Sequence, residues 1–160
     1  MAIRRLFVGL AIGILILGVT SAVVAETLNF KWYSHVVKSE IFVIPDKGGH
    51  EVGLNIRDTV CAFENGDVAF GKGIVFIDRV LMIGSINQYT TYTFRDGSTI
   101  VIHTAGTTTF SGEIIYGTGR FQGIKGTATI SPIGFFPLEQ GEASPKNYGN
   151  GTFVYTLPSK

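Results

Sequence analysis

A run of glycines late in the chain is the first feature that could carry chemistry, because glycine-rich loops bind phosphate. The segment GTGRFQGIKG, residues 117–126, has its glycines at Gly117, Gly119, Gly123 and Gly126. A dinucleotide-binding loop needs G-x-G-x-x-G between a strand and a helix, so that backbone N–H groups approach the pyrophosphate. Here the spacing after Gly119 is one residue too long, and β-branched residues follow instead of a helix. The four glycines are therefore predicted to be structural, at bends or close approaches within a sheet, and no cofactor is expected.

Residues that could do acid–base chemistry lie in strand-like segments. An enzymatic acid or base needs a carboxyl group held in a dry pocket, where its pKa is shifted. Alternation along the strands predicts that Glu51 and Glu113 point outward, whereas Glu40 and Glu64 are candidates for the mouth of a barrel. No catalytic residue is assigned from these positions.

The sequence also lacks the local patterns of metal and nucleophilic sites. The histidines His35, His50 and His103 are never paired at a spacing of two or four, so no metal site is predicted. No G-x-S-x-G marks a nucleophilic serine. The single cysteine, Cys61, cannot form an internal disulfide, and its strand-like surroundings predict a small buried hydrophobic residue.

Composition and the spacing of apolar residues indicate an all-β protein. The 160 residues include 21 glycines and 12 phenylalanines, and only 16% are charged. From Leu28 onward, short segments alternate apolar and polar residues with the period of two that strands show. Asn-Gly at 65–66 and Asp-Gly at 96–97 are signals for hairpin turns. About eight strands at this spacing predict an eight-stranded antiparallel barrel, whose closure leaves no exposed edge.

The first 25 residues have the character of a signal peptide. Arg4 and Arg5 precede the apolar run LFVGLAIGILILGV, and Val23 and Ala25 are the small residues of a suitable cleavage site. An uncleaved membrane anchor is the alternative, but the run is shorter than the roughly 20 residues that span a bilayer. We expect a signal-peptide helix over residues 1–25, a single barrel domain over residues 26–160, and export to the periplasm or the outside.

Charge limits the partners of the exported chain. Cleavage removes two arginines and no acidic residue, so the formal net charge of +1 becomes −1. A near-neutral protein has no electrostatic basis for binding nucleic acid or an anionic membrane surface. We therefore expect no nucleic-acid partner, and contact with the membrane only through the signal peptide before cleavage.

The glycine segment also resembles a family signature. GTGRFQGIKGTATI is similar to the G-x-G-x-F-x-G-x-x-G pattern of the allene oxide cyclase and dirigent-protein barrels, with matches at Gly117, Gly119, Phe121, Gly123 and Gly126. The resemblance covers roughly residues 85–131, and more loosely the whole mature chain, and extends to exported bacterial proteins of this superfamily. It implies an eight-stranded barrel with an interior cavity, often assembled into dimers or trimers. It transfers no catalytic residue, because the signature is scaffold in both families.

Alternation predicts which side chains face the lumen. The inward set comprises Phe30, Trp32, Val52, Leu54, Ile56, Phe70, Ile74, Phe76, Tyr92, Phe94, Ile100, Ile102, Phe110, Ile114, Phe121, Phe153 and Tyr155. The predicted ligand contacts are six aromatic residues: Trp32, Tyr92, Phe94, Phe110, Tyr116 and Tyr155. A fully packed core is the alternative, since eight strands can either be filled by their side chains or enclose one small ligand.

Three functions are compatible with these observations. The leading hypothesis is an exported barrel that binds a small hydrophobic or aromatic molecule without catalysing a reaction on its own. The second is an isomerase, like the allene oxide cyclases, that acts by shaping its substrate; a carboxyl group inside the lumen would favour it. The third is a structural or assembly protein whose outer apolar faces form the interface of a homo-oligomer.

Overall fold

The computed structural model describes residues 24–81, 83–136 and 146–159, and most of these residues lie in β-strands. The elements follow in this order: β1 (Glu26–Ile44), β2 (His50–Phe63), β3 (Val68–Val80), β4 (Ile83–Phe94), β5 (Thr99–Gly106), β6 (Phe110–Gly117), a short 3-10 turn (Gly119–Phe121), β7 (Lys125–Phe136) and β8 (Lys146–Thr156). Each strand pairs antiparallel with the next, and β8 pairs back onto β1, from Glu26 opposite Tyr155 to Ser34 opposite Asn147. The predicted eight-stranded closed barrel is confirmed.

Two regions of the sequence stand apart from this description. The predicted signal peptide, residues 1–25, lies outside the described residues except for Val24 and Ala25, and the polar segment 137–145 also lies outside them. Within the described ranges, no helix is long and apolar enough to cross a membrane.

The two hairpin turns form where the Asn-Gly and Asp-Gly pairs occur. Gly66 and Gly97 have φ angles of +86° and +81°, which glycine adopts without a steric penalty. The Oδ1 atom of Asn65 accepts a hydrogen bond of 3.0 Å from the Asp67 N–H in the first turn. These local bonds fix the register of the strands on either side.

Aromatic side chains pack one half of the barrel, which we call the closed half. The β2–β3 and β4–β5 turns and the 3-10 turn all lie at this end, because successive strands run in opposite directions. The ring of Phe153 has its centroid 4.7 Å from that of Phe30 and 5.6 Å from that of Tyr92. Phe121 of the 3-10 turn packs on Phe94 at 4.8 Å. Buried rings in tilted contact supply much of the hydrophobic free energy of this half. The other half, toward the β1–β2 and β3–β4 turns, is the open half.

The glycine signature shapes the closed half. Gly119 and Gly123 have φ angles of +60° and +76°, a conformation that side chains other than glycine rarely adopt. A Cβ atom at Gly126 would lie 2.7 Å from the Cα atom of Tyr155, and one at Gly117 would meet the backbone of the 3-10 turn. The four glycines therefore stand where the chain turns or where two backbones come close.

Replacing Gly126 by alanine is expected to lower the free energy of unfolding by about 1–3 kcal/mol, because the backbone of β8 must move to admit the methyl group. The measurement is denaturant unfolding followed by far-UV circular dichroism. Gly48→Ala is the matched control, since no heavy atom lies within 4 Å of a Cβ added at Gly48. Equal stability of the two variants would contradict a close approach at Gly126.

The predicted lumen assignment is wrong for β2 and β3. Six apolar residues assigned to the lumen lie on the outer face: Val52, Leu54, Ile56, Phe70, Ile74 and Phe76. The reason lies at the β2–β3 turn, where Phe63 and Ala69 are buried in the closed half. Counting in steps of two from these anchors turns Arg57, Gly71 and Gly73 inward. The outer face of these strands is thus more apolar than the inner one.

The predicted lumen position of Tyr116 is also wrong. The pairing of β5 with β6 shifts between Val101 and Ile102, which adds one residue on the β6 side. As a result both Ile115 and Tyr116 point outward, with 47% and 56% of their surface exposed. Such a bulge interrupts the alternation that the prediction relies on.

Candidate functional site

A cavity of about 400 Å³ occupies the open half of the lumen. Its lining is drawn from β1 to β4 and β6 to β8: Trp32, Ser34, Arg57, Thr59, Gly73, Val75, Arg79, Ile86, Gln88, Thr90, Tyr92, Phe110, Ile130, Pro132, Ile133, Gly134, Phe135 and Asn147. This volume falls within the range of small-molecule sites. The packed core and the hollow barrel are therefore not alternatives, because each describes one half of the molecule.

The floor of the cavity is aromatic. Trp32, Tyr92 and Phe110 form it together with Ile130, and all four side chains are buried. The Trp32 Nε1–H donates a hydrogen bond of 3.0 Å to the carbonyl oxygen of Asn150, so the one polar atom of the indole is satisfied. Burial raises the pKa of Tyr92 well above its ordinary value. Its hydroxyl therefore stays protonated at neutral pH and can act as a hydrogen-bond donor.

The cavity exists partly because β3 has no side chain at Gly73, which lines it. A Cβ atom added at Gly73 would lie 3.1 Å from Oγ1 of Thr90, and one added at Gly71 would lie 3.1 Å from Cε1 of Tyr92. The lumen is consequently not filled from β3 at Gly73, whereas the absence of a side chain at Gly71 leaves room for the Tyr92 ring. Neither glycine has a positive φ, so the reason for glycine here is space rather than backbone conformation.

Arg57 on β2 points into the lumen and lines the cavity on the side formed by β2, β3 and β4. Its Nε atom is buried and has no hydrogen-bond partner among the described residues. Burial is the main cause that lowers the pKa of Arg57, and the charge of Arg79 is the second. An arginine nevertheless remains protonated at neutral pH. Its neutral neighbours are joined by two hydrogen bonds, Thr59 Oγ1 to Ser34 Oγ (3.1 Å) and Gln88 Nε2 to Thr104 Oγ1 (2.9 Å).

Arg79 stands nearer the mouth and is paired. Its Nε and Nη2 atoms each lie 2.7 Å from Oε2 of Glu51, and both side chains are half-buried. The predicted outward orientation of Glu51 is wrong, because β2 is inverted relative to the prediction. Glu51 therefore neutralises the charge of Arg79 and leaves that of Arg57 without a carboxylate partner in the described part of the chain.

The structure separates the six aromatic residues predicted to contact a ligand. Trp32, Tyr92 and Phe110 line the cavity. Phe94 and Tyr155 lie in the closed half, where Phe94 packs in the core and the Tyr155 hydroxyl donates a hydrogen bond of 2.8 Å to a side-chain oxygen of Glu26. Tyr116 lies outside the barrel. Contact of the first three with a ligand stays a prediction.

Sequence reasoning missed the polar wall. The prediction placed Ile56 in the lumen, and alternation then put Arg57 on the outer face. The missing signal was the turn at 64–67: once Phe63 is recognised as buried, the period of two carries Cys61, Thr59 and Arg57 to the same side.

The other candidate chemical residues do not converge. Cys61 is completely buried, and burial raises the pKa of its thiol, which leaves little reactive thiolate. Glu40 forms a surface ion pair of 2.6 Å with Lys38, and Glu64 accepts a hydrogen bond from Asn29 at the closed end. Glu113 is exposed. Over the described ranges, no group of three His, Cys, Asp or Glu side chains could hold a metal ion.

His50 joins the β1–β2 turn to β3 at the open end. Its Nδ1 lies 2.6 Å from Asp46 Oδ1, and its Nε2 lies 3.1 Å from Asp78 Oδ1. The hydrogen bonds to Asp46 and then Asp78 raise the pKa of His50 above its ordinary value of 6.5, and His50 in turn lowers the pKa of Asp46. Asp46 and His50 are therefore both charged only between the lowered pKa of Asp46 and the raised pKa of His50.

This geometry predicts the direction of a pH effect. A histidine whose pKa is raised by folding stabilises the fold fully below its unfolded pKa, and this contribution disappears as the pH rises through the folded pKa. We expect the NMR titration midpoint of the His50 imidazole to lie above 6.5, and to fall in Asp46→Asn. A midpoint unchanged by that substitution would contradict the contact.

Several solved structures share this fold. A pterocarpan synthase dirigent protein superposes with a TM-score of 0.55 at 15% identity, over 97% of this chain and 98% of that chain. Pyocyanin demethylase gives 0.55 at 20% identity, over 83% and 100%. The Diels–Alderase AbmU from Streptomyces koyangensis gives 0.51 at 15% identity, over 87% and 72%.

These likenesses define the class of the protein by its fold. The chain forms the eight-stranded barrel of the dirigent proteins, and the predicted resemblance to the allene oxide cyclase and dirigent group is confirmed at that level. Neither a protein-family model nor a curated protein matches the sequence. Identities of 20% or less establish the shared fold and transfer no residue role.

Proposed function

We propose that the protein is an exported barrel that binds a small apolar or aromatic molecule in its open half, without catalysing a reaction on its own. The observation that carries the proposal is the cavity of about 400 Å³ above an aromatic floor. Proteins of this fold include ones named for synthase, demethylase and Diels–Alder activities. That range supports a barrel that accommodates a small organic molecule.

The test uses N-phenyl-1-naphthylamine, an uncharged aromatic probe that fluoresces in apolar surroundings. We expect saturable binding to the protein, and loss of that binding in Gly73→Leu. The added side chain would project into the cavity, and the nearest atom to its Cβ is the rotatable Thr90 hydroxyl at 3.1 Å. Such a contact can relax without unfolding the strand.

Gly48→Leu is the matched control, because a Cβ atom added there meets no heavy atom within 4 Å. It is expected to bind the probe as the unaltered protein does. Circular dichroism shows whether each variant is folded. Probe binding that persists in folded Gly73→Leu would place the probe on the outer surface and contradict the proposal.

Export and ligand can be examined together by native mass spectrometry of protein purified from the exported fraction of its own host. The proposal expects the mass of residues 26–160, together with an additional mass that is lost on denaturation. A chain that retains residues 1–25 would contradict cleavage.

An isomerase that shapes its substrate is the second candidate. The observation that favours it is that a protonated Tyr92 and the charged Arg57 line the same cavity, where both could stabilise a developing oxyanion. No carboxylate lines the cavity within the described ranges, so a general base is missing from it. Turnover of an unsaturated fatty-acid epoxide that is lost in Arg57→Met would favour this candidate over a binder.

Assembly into a homo-oligomer is a compatible proposal. Five exposed apolar residues lie on the outer face of β2 to β4, on either side of the ion pair between Lys72 and Asp58: Val60, Phe70, Ile74, Phe76 and Tyr89. We expect light scattering to give a dimer or trimer that dissociates when Phe70 and Phe76 are both changed to lysine. A monomeric unaltered protein would refute this proposal.

A further inference from the structure

We propose that the ligand of the cavity carries an anionic group, a carboxylate on an apolar or aromatic body, and that Arg57 binds this group. The inference rests on the proposed function, because it names the chemical class of the molecule that the open half takes. It goes beyond that function by assigning a specificity-determining residue. Three features of the cavity carry it.

The first feature is the balance of charge. Among the described residues that line the cavity, Arg57 and Arg79 are the charged ones. Arg79 is held by Glu51 through two contacts of 2.7 Å to one carboxylate oxygen. Arg57 has no such partner. Of the two charges that line the cavity, that of Arg57 is therefore the one without a carboxylate partner, and an anion would neutralise it.

The second feature is the burial of that charge. A solvated arginine extends its guanidinium into water, but the Nε of Arg57 is buried and donates to no acceptor in the described part of the chain. Buried polar donors without partners are rare in folded proteins, so the Nε of Arg57 is a donor for which the fold supplies no acceptor. A carboxylate matches the planar fork of a guanidinium.

The third feature is the uneven distribution of polar side chains in the cavity. Arg57, Thr59, Thr90 and Gln88 stand on the β2–β4 side, beside the apolar Val75 and Ile86. Apolar residues stand opposite on β6 and β7: Phe110, Ile130, Pro132, Ile133 and Phe135. A wholly apolar molecule would leave the Arg57 guanidinium without a partner, and a small inorganic anion would leave the apolar side chains uncovered. An amphipathic carboxylate contacts both.

The experiment compares two probes of the same shape, 2-naphthoate and its uncharged isostere 2-naphthamide, as competitors of N-phenyl-1-naphthylamine. In the unaltered protein we expect naphthoate to bind about 10-fold or more tightly than naphthamide, since a hydrogen bond to a charged group is worth about that ratio. In Arg57→Met the ratio should fall to about one, mainly through weaker naphthoate binding. Arg57→Lys keeps the charge but not the fork, and its ratio should be intermediate.

The matched control is Arg95→Met, the same change at an exposed position in the β4–β5 turn at the closed end. It should keep the full ratio. The proposal is overturned if naphthoate does not displace the probe, if it binds no better than naphthamide, or if the ratio survives in Arg57→Met. Should Arg57→Met fail to fold, an unchanged ratio in Arg57→Lys would equally overturn it.

The two proposals fail in different ways. Loss of probe binding in Gly73→Leu, together with equal binding of naphthoate and naphthamide, would leave the binding barrel standing and remove only the anion. Probe binding that Gly73→Leu does not affect would remove the binding barrel, and the assignment of Arg57 with it.

Discussion

Replacing Phe153 by alanine is expected to lower the free energy of unfolding by about 3–5 kcal/mol, the largest effect of a single substitution that we anticipate. Phe153 is completely buried on β8. Its ring lies 4.7 Å from Phe30, 5.6 Å from Tyr92 and 6.0 Å from Phe63, measured between centroids. The substitution removes one ring from the middle of this cluster, and surrounding rings held on closed strands cannot collapse into the space.

The measurement is equilibrium unfolding in urea, with Phe42→Ala as the matched control. Phe42 is 64% exposed near the open end, and its truncation should change the free energy of unfolding by less than about 0.5 kcal/mol. A loss of less than about 1 kcal/mol in Phe153→Ala would contradict the division into a closed and an open half. It would mean that the aromatic cluster is loosely packed and that the cavity extends through the barrel.

The sequence is sufficient to predict the barrel because turns and alternation are local signals. Asn65-Gly66 predicts a hairpin, since Gly66 has the positive φ that such a turn requires. Alternation also gives the correct face where the outward residues are polar, as on β4, where Tyr92 and Phe94 are buried between exposed neighbours. The glycine segment is followed by a strand rather than by the helix that a dinucleotide-binding loop needs.

The facing of β2 and β3 could not be predicted by the rule that apolar residues point inward. That rule assumes one polar side and one apolar side. In this barrel the lumen needs polar groups, and the outer face of Phe70, Ile74 and Phe76 is apolar, so the pattern is reversed. The prediction for Tyr116 fails for another reason. The bulge before it adds one residue, which composition does not reveal and which only the pairing with β5 shows.

The same reversal conceals the candidate site. Arg57 reads as a solvated strand residue when Ile56 is taken as buried. Its role emerges only when the closed half fixes the register and Glu51 is found to pair with Arg79 instead. A long-range pairing of this kind depends on which strands are neighbours. Local sequence does not contain that information.

Arg57→Met is expected to raise the free energy of unfolding by about 1–3 kcal/mol, the cost of a buried polar atom without a partner, while it abolishes the preference for naphthoate. The Nε of Arg57 is buried without a hydrogen-bond partner, and an apolar side chain of similar length removes that cost. For a chain of this length, a change of 1 kcal/mol in the free energy of unfolding shifts the melting temperature by roughly 2–4 °C. Arg95→Met, at its exposed turn, should leave both stability and preference unchanged.

A gain in stability together with a loss of the preference for naphthoate distinguishes a binding arginine from a structural one. If Arg57 held the fold together, Arg57→Met would lower stability, and any loss of affinity would follow from damage to the cavity. If Arg57 binds the ligand, Arg57→Met raises stability and lowers affinity, because a binding site for a charged ligand destabilises the fold when the ligand is absent. Thermal unfolding with and without 2-naphthoate measures both effects on the same samples: the anion should raise the melting temperature of the unaltered protein more than that of Arg57→Met. A variant that is less stable, yet stabilised by the anion as much as the unaltered protein is, would assign Arg57 to the scaffold and move the search for the ligand's partner to Arg79.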